Sequence, residues 1–140
     1  MANLPREILA EKENIERALN NLTDAIARPE RSIIELSAMA TFLHNIYNGI
    51  ENILKQVFKL KDIELPKSET WHKDLLNASV SLGIISENLS DEIFEYLTFR
   101  HFFVHAYGFM LDEAQLEDLS NNIYMVWLQF LLEIENIAKH

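Results

Sequence analysis

The chain has 140 residues, 49% hydrophobic and 24% charged, the balance of a folded protein of single-domain size. With 22 acidic against 12 basic residues, its net charge of −10 argues against a broad basic surface for nucleic acid. A small site where one or two cations meet one phosphate stays open. Absence of cysteine excludes disulfides, thiol nucleophiles and thiolate metal sites. No apolar signal core opens the chain, and no apolar run approaches the ~20 residues of a membrane span, so a soluble cytoplasmic protein with no membrane partner is expected.

Three glycines and three prolines are too few for many short strands and enough for a few long helices. The first predicted helix runs from about Pro5 to Ala27. Leu4, Ile8, Ile15, Leu19, Leu22 and Ile26 fall at helical spacing in it, and Pro29 lies beyond its end. The second follows Ser32, with Glu35 three residues on in capping-box register, and continues to about Leu60. Ile33, Leu36, Ala40, Leu43, Tyr47, Ile50, Leu54 and Val57 step along it by threes and fours, the seam of side-by-side antiparallel helices. After a polar connection through Pro66, a shorter third helix is expected over Thr70 to Leu82, closed by Gly83. The fourth is expected to start after Ser90, with Asp91 and Glu92 in its first turn, and to end near Tyr107 before Gly108. The fifth begins near Asp112 and reaches almost to His140 on a stripe of Leu116, Leu119, Ile123, Val126, Phe130 and Ile137. Without repeat, low-complexity tract or linker, residues 1–140 read as one all-α domain, an up-and-down bundle of about five helices.

The fourth helix departs from ordinary amphipathicity. From Tyr96 to Leu111 the residues are mostly large and apolar, and Arg100 is their only formal charge. At about 100° per residue, Ile93, Leu97 and Val104 mark a core-facing direction, with Arg100 and Tyr107 flanking it on one side and His101 and His105 on the other. A helix apolar nearly all round is buried on more than one side, by the bundle and by a second subunit.

Three readings of these polar groups stand. Arg100 can pair with a core carboxylate such as Glu51 while the histidines make structural hydrogen bonds. His101 and His105, four apart, can share a metal, but the residue after the first His is Phe102 rather than the Glu of a zincin and no third ligand is spaced to join them, so no metal or other cofactor is expected. Finally, a forked cation and a neutral-range imidazole suffice to cleave RNA without metal. The imidazole activates the 2′-hydroxyl against the adjacent phosphate while the guanidinium holds the developing charge.

Arg100, four residues, His105, one residue and Tyr107 spell R-x4-H-x-Y, which resembles the signature of the HEPN superfamily and specifically of HepT-like ribonuclease toxins. His101 occupies the position after Arg where such motifs carry a polar residue. The run Phe99 to Phe109, the stretch Phe42 to Leu54 and the stretch Trp71 to Leu76 are similar to one HepT-like subgroup, so the resemblance covers most of the chain from about residue 32. It implies a two-fold homodimer whose paired motif helices build a composite RNA-cleaving site. Arg100 would hold the scissile phosphate, His105 would act as general base or acid, and His101 would support the site. It also implies a cognate MntA-like nucleotidyltransferase antitoxin that AMPylates Tyr107, setting negative charge beside the RNA-binding cation. RNA is the expected substrate and no DNA partner is expected. The alternative is a non-catalytic HEPN partner protein that docks a nucleotidyltransferase or binds nucleotide, and a purely structural dimerising bundle is a third possibility.

Several neighbours fall outside the motif. Glu51 follows the seam residue Ile50 and reads as a solvent-facing charge, with buttressing of Arg100 as its supporting role. His44 and Tyr47 read as packing residues that could line the cleft. Trp71, His72 and Lys73 read as a helix start with a packing Trp, or else as a platform for a base.

Overall fold

The computed structural model describes residues 4–105 and 111–138. Among these residues there are five helices and no strand: α1 (Arg6–Ile26), α2 (Ile33–Leu60), α3 (Trp71–Ser81), α4 (Glu87–Val104) and α5 (Glu113–Ala138). The all-α bundle expected from the residue pattern is the fold observed. None of the described helices is long and apolar enough to cross a membrane.

α1 and α2 form an antiparallel hairpin, with the N-terminal half of α1 beside the later turns of α2. Asn52 Nδ2 donates to Glu11 Oε2 across it at 3.4 Å. The α1 stripe of Leu4, Ile8, Ile15, Leu19 and Leu22 is buried, each side chain contributing about 1.5–3 kcal/mol relative to exposure. Gly49 sets how closely the two helices approach, because a Cβ there would lie 2.4 Å from Ile15 Cγ1. The capping box forms as the spacing predicts. Ile34 N donates to Ser32 Oγ at 3.1 Å, and Ser32 N donates to Glu35 Oε1 at 2.7 Å. The Ser32 hydroxyl, donating to Glu35 Oε1 at 2.6 Å, and then the Ser32 N–H hold the Glu35 carboxyl below its usual pKa.

α2 is the central helix and touches all four others. Its buried face is wider than the predicted seam, since Met39, Ile46, Ile53 and Phe58 are also buried, whereas Ile33 at the start of the seam is exposed. Gly83, at φ +73, closes α3 in the left-handed conformation that glycine adopts without strain.

α4 begins four residues before the expected start. Ser86, not Ser90, is the N-cap: its Oγ accepts from Leu89 N at 3.2 Å, and its own N and Oγ donate to Glu133 of α5 at 2.6 and 3.0 Å. Ser90 is buried inside the helix. The helix ends at Val104, with His105 as C-cap; the expected extension to Tyr107 falls outside the described residues. α4 runs antiparallel to α5, and the two are tied by Tyr96, whose hydroxyl donates to Leu119 O at 2.7 Å. On α5, Leu116, Leu119, Ile123, Val126 and Phe130 are buried as the stripe predicts, Trp127 and Ile134 join them, and Ile137 packs against the core's edge. Asp112 caps α5, its Oδ1 accepting from Ala114 N at 2.9 Å.

Candidate functional site

The inward face of α4 is Leu89, Ile93, Tyr96 and Phe99, with Phe103 packed partly against the core. Val104, expected to point at the core, is exposed. Arg100 lies beside Phe99 and Phe103, half-buried against α2. His101 and His105 lie on the exposed side, ring centroids 4.4 Å apart and tilted 44°. Among the described residues no group of three His, Asp or Glu is arranged to hold a metal. Tyr107 lies outside the described residues.

Arg100 meets α2 through a neutral partner: its Nε donates to Asn48 Oδ1 at 3.0 Å. Guanidinium can only donate, so the Asn48 oxygen must face it and the amide nitrogen must turn the other way. That nitrogen lies 3.0 Å from His44 Nε2. His44 Nε2 therefore accepts and Nδ1 carries the proton, although Nδ1 finds no partner among the described residues. A neutral His44 agrees with its electrostatics, because burial first and the charge of Arg100 second lower its pKa, against a smaller opposing effect of Glu51. Arg100, Asn48 and His44 thus form one polarised relay across the α2–α4 contact, and His44 also tilts against the Phe103 ring at 5.6 Å.

The ion pair between Arg100 and Glu51, one of the readings of the sequence, is not what forms. Among the described residues Arg100 makes no contact with a carboxylate. Glu51 is not solvent-facing either: it is 3% exposed, and its Oε2 accepts from the Tyr47 hydroxyl at 2.6 Å and meets His72 Nδ1 at 2.5 Å. Two helices, α2 and α3, are needed to satisfy this carboxylate. Burial, then Glu51's charge and hydrogen bond, push the Tyr47 phenol far above its usual pKa, while Arg100 pulls weakly the other way. Tyr47 is consequently a fixed donor. Trp71 stacks on His72 with centroids 3.6 Å apart, and Lys55 Nζ sits 4.3 Å over the Trp71 ring, so this Trp packs at the helix start rather than standing free.

Of the motif residues, the structure sets Arg100 in the α2–α4 groove and His101 with His105 outside it. Five residues at about 100° each put Arg100 and His105 roughly 140° apart around the helix, so one chain does not join them by hydrogen bonds. Asn48 carries no role in the sequence reading, and His72 appears there only as part of a helix start or base platform, not as a partner of Glu51. The available signal was a line of polar side chains at His44, Asn48 and Glu51, one turn apart within an otherwise apolar seam. Chemically, the arrangement offers a permanent cation whose partner leaves its charge unneutralised, beside an imidazole braced by a buried carboxylate.

A family model described as HepT-like protein matches residues 38–140. A solved structure described as "Crystal structure of the toxin-antitoxin with AMP-PNP" shares the fold, with a TM-score of 0.69 and 14% identity over 96% of this chain and 96% of that chain. No curated protein matches the sequence.

Proposed function

For a chain that belongs to the HepT-like protein family, we propose the role of ribonuclease toxin in a toxin–antitoxin pair, cleaving RNA by metal-independent 2′-hydroxyl attack. The observation that carries this reading is Arg100, a half-buried guanidinium held by a neutral amide instead of a carboxylate. Desolvating a cation without neutralising it is costly unless an anion arrives to complete it. A phosphate diester fits, because the planar fork donates to two oxygens at once. Arg100 would bind the scissile phosphate and stabilise its pentacoordinate charge. His105, exposed at the end of the same helix, would move the proton of the 2′-hydroxyl.

The roughly 140° between Arg100 and His105 supports a site completed by a second copy of the chain, whose α4 would bring its own imidazole to the first copy's guanidinium. Phe94 and Val104 leave apolar surface on α4 for such a pairing. His101, in ring contact with His105, would hold that ring in place. The cognate antitoxin would be a nucleotidyltransferase that adds AMP to Tyr107, two residues beyond His105, placing phosphate charge where RNA must bind. The acidic chain suits a partner that supplies basic residues.

The same angular separation favours the second reading, a non-catalytic partner that docks the transferase. Expression in cells separates the two. The toxin reading expects growth arrest that is lost on Arg100→Ala or His105→Ala, and that is relieved by co-expressed transferase with AMP found on Tyr107 by peptide mass spectrometry. Unimpaired growth together with tight transferase binding would establish the docking role instead.

A further inference from the structure

The relay through Arg100 does not account for the other polar cluster on α2. Glu51 is the one carboxylate among the buried described residues, and its oxygen Oε2 serves two donors, Tyr47 and His72. A buried carboxylate that grips Nδ1 of a histidine fixes the ring's orientation and its tautomer and directs Nε2 away from the carboxylate. Here the ring is also clamped on one face by Trp71 at 3.6 Å, while the side chain remains 24% exposed. One edge of His72 is thus braced while part of the side chain stays exposed.

Its place relative to Arg100 follows from α2. Asn48, which holds Arg100, and Glu51, which holds His72, are three residues apart on that helix, with Cβ atoms about 5–6 Å apart. The guanidinium from α4 and the imidazole from α3 are therefore held by side chains of a single turn of α2. Tyr47 registers both, since the charges of Glu51 and Arg100 each act on its hydroxyl. The surroundings favour a polyanion as well. Residues 55–73 carry five lysines against three carboxylates in a chain of net charge −10. Lys55, Lys59 and Lys67, against the single carboxylate Asp62, line a groove of about 540 Å³, and Lys55 also lies over the Trp71 ring that backs His72. Lys67 is shared with Glu64 at 3.0 Å, which leaves Lys55 and Lys59 as the cations nearest the dyad along α2.

We propose that His72, positioned by Glu51, is the general acid of the RNA-cleaving centre, donating from Nε2 to the departing 5′-oxygen of the phosphate held by Arg100. The proposal rests on the ribonuclease reading above. In the step, the 2′-oxygen forms a bond to phosphorus as its proton passes to His105. The bond from phosphorus to the 5′-oxygen breaks, and that oxygen takes the proton of the His72 imidazolium. The products are a 2′,3′-cyclic phosphate and a 5′-hydroxyl; His105 ends protonated and His72 neutral, and exchange with solvent restores both. Glu51 is a positioning residue: it touches no substrate and acts through the ring it holds. Around His72, Glu51 holds the ring, Tyr47 shares the same Glu51 oxygen and Lys55 lies over the neighbouring Trp71, with Lys73 and Asp74 close in sequence on α3.

The test compares wild type, His72→Ala and His72→Gln on a defined oligoribonucleotide and on the same oligonucleotide carrying sulfur in place of the 5′-bridging oxygen. Sulfur leaves without a proton, so an acid becomes dispensable. On the ordinary substrate both variants should lose roughly 10²–10⁴-fold in rate, and on the sulfur substrate both should recover to within about tenfold of wild type. Free imidazole should partly restore His72→Ala on the ordinary substrate. If the variants cleave the ordinary substrate within about threefold of wild type, or if their loss persists unchanged on the sulfur substrate, His72 is only a structural tie and the proposal is overturned. Glutamine keeps an N–H for Glu51, so His72→Gln guards against a fold defect, with circular dichroism and the melting temperature checking it. Wild type that cleaves neither substrate would overturn the ribonuclease reading itself, an outcome distinct from cleavage that ignores His72.

Discussion

Changing Asn48 to Asp alters one atom pair and separates what Arg100 does for stability from what it does for function. The Asn48 oxygen already accepts from Arg100 Nε at 3.0 Å, so a carboxylate of the same shape enters without repacking. At an effective dielectric constant near 20, opposite unit charges at this spacing attract by about 5.5 kcal/mol. Desolvation of a half-buried carboxylate offsets most of that, and His44 loses its amide donor. The net is a gain of about 1 kcal/mol, or roughly 3 °C in melting temperature for a chain of this length. Under the proposed role of Arg100 the effect on RNA runs the opposite way, because a neutralised guanidinium would no longer take up a phosphate. The variant should lose about one phosphate contact, seen as a fall of about 0.7 in the slope of log Kobs against log salt for single-stranded RNA. Cleavage should drop by at least 10²-fold. Differential scanning calorimetry and a salt series of binding isotherms on a 2′-deoxy analogue read the two effects separately. An Asn48→Asp protein that is no less stable yet binds and cleaves RNA with unchanged salt dependence would refute the role assigned to Arg100's free charge.

Other changes test the frame around the site. Gly49→Ala gains about 1 kcal/mol of helix propensity but drives a methyl into Ile15, and overpacking of 1–3 kcal/mol should leave the protein about 1 kcal/mol less stable in urea unfolding. Ser32→Ala removes the acceptor for Ile34 N and should cost about 1 kcal/mol in the same assay. His44 has a folded pKa below its unfolded value, so the unfolded chain binds more protons as pH drops below about 6.5. Its contribution is therefore fully present above that pH and is lost as pH falls towards the folded pKa. Melting temperatures between pH 7.5 and 5 should decline less steeply in His44→Gln than in wild type.

Features whose partners lie within a turn or two were legible from the residues. The Ser32–Glu35 box, the Gly83 closure and the apolar stripes of α1 and α5 all depend on spacing along one helix, and they form where spacing put them. The start of α4 was not legible because Ser86 and Ser90 are equally good caps locally; Glu133, 47 residues away on α5, engages Ser86 and decides between them. Glu51 read as exposed for the same reason. Its burial is tolerable only because Tyr47 and a histidine from another helix both reach it. Arg100 was recognisable as an anomaly, a lone charge in an apolar run, yet its partner was not, since an asparagine on a helix seam carries no mark of a distant cation. Val104 reads as inward when helical phase is extended to the last turn, yet it is exposed there, next to the C-cap.

The central claim is that Arg100 and His105 together cleave RNA without metal. Its most direct measurement is cleavage of a labelled oligoribonucleotide by the purified protein in excess chelator, with Arg100→Ala and His105→Ala alongside. The account predicts 2′,3′-cyclic phosphate products from wild type and at least 10²-fold slower cleavage by each variant. Cleavage by Arg100→Ala and His105→Ala at the wild-type rate, or none by wild type, would contradict it.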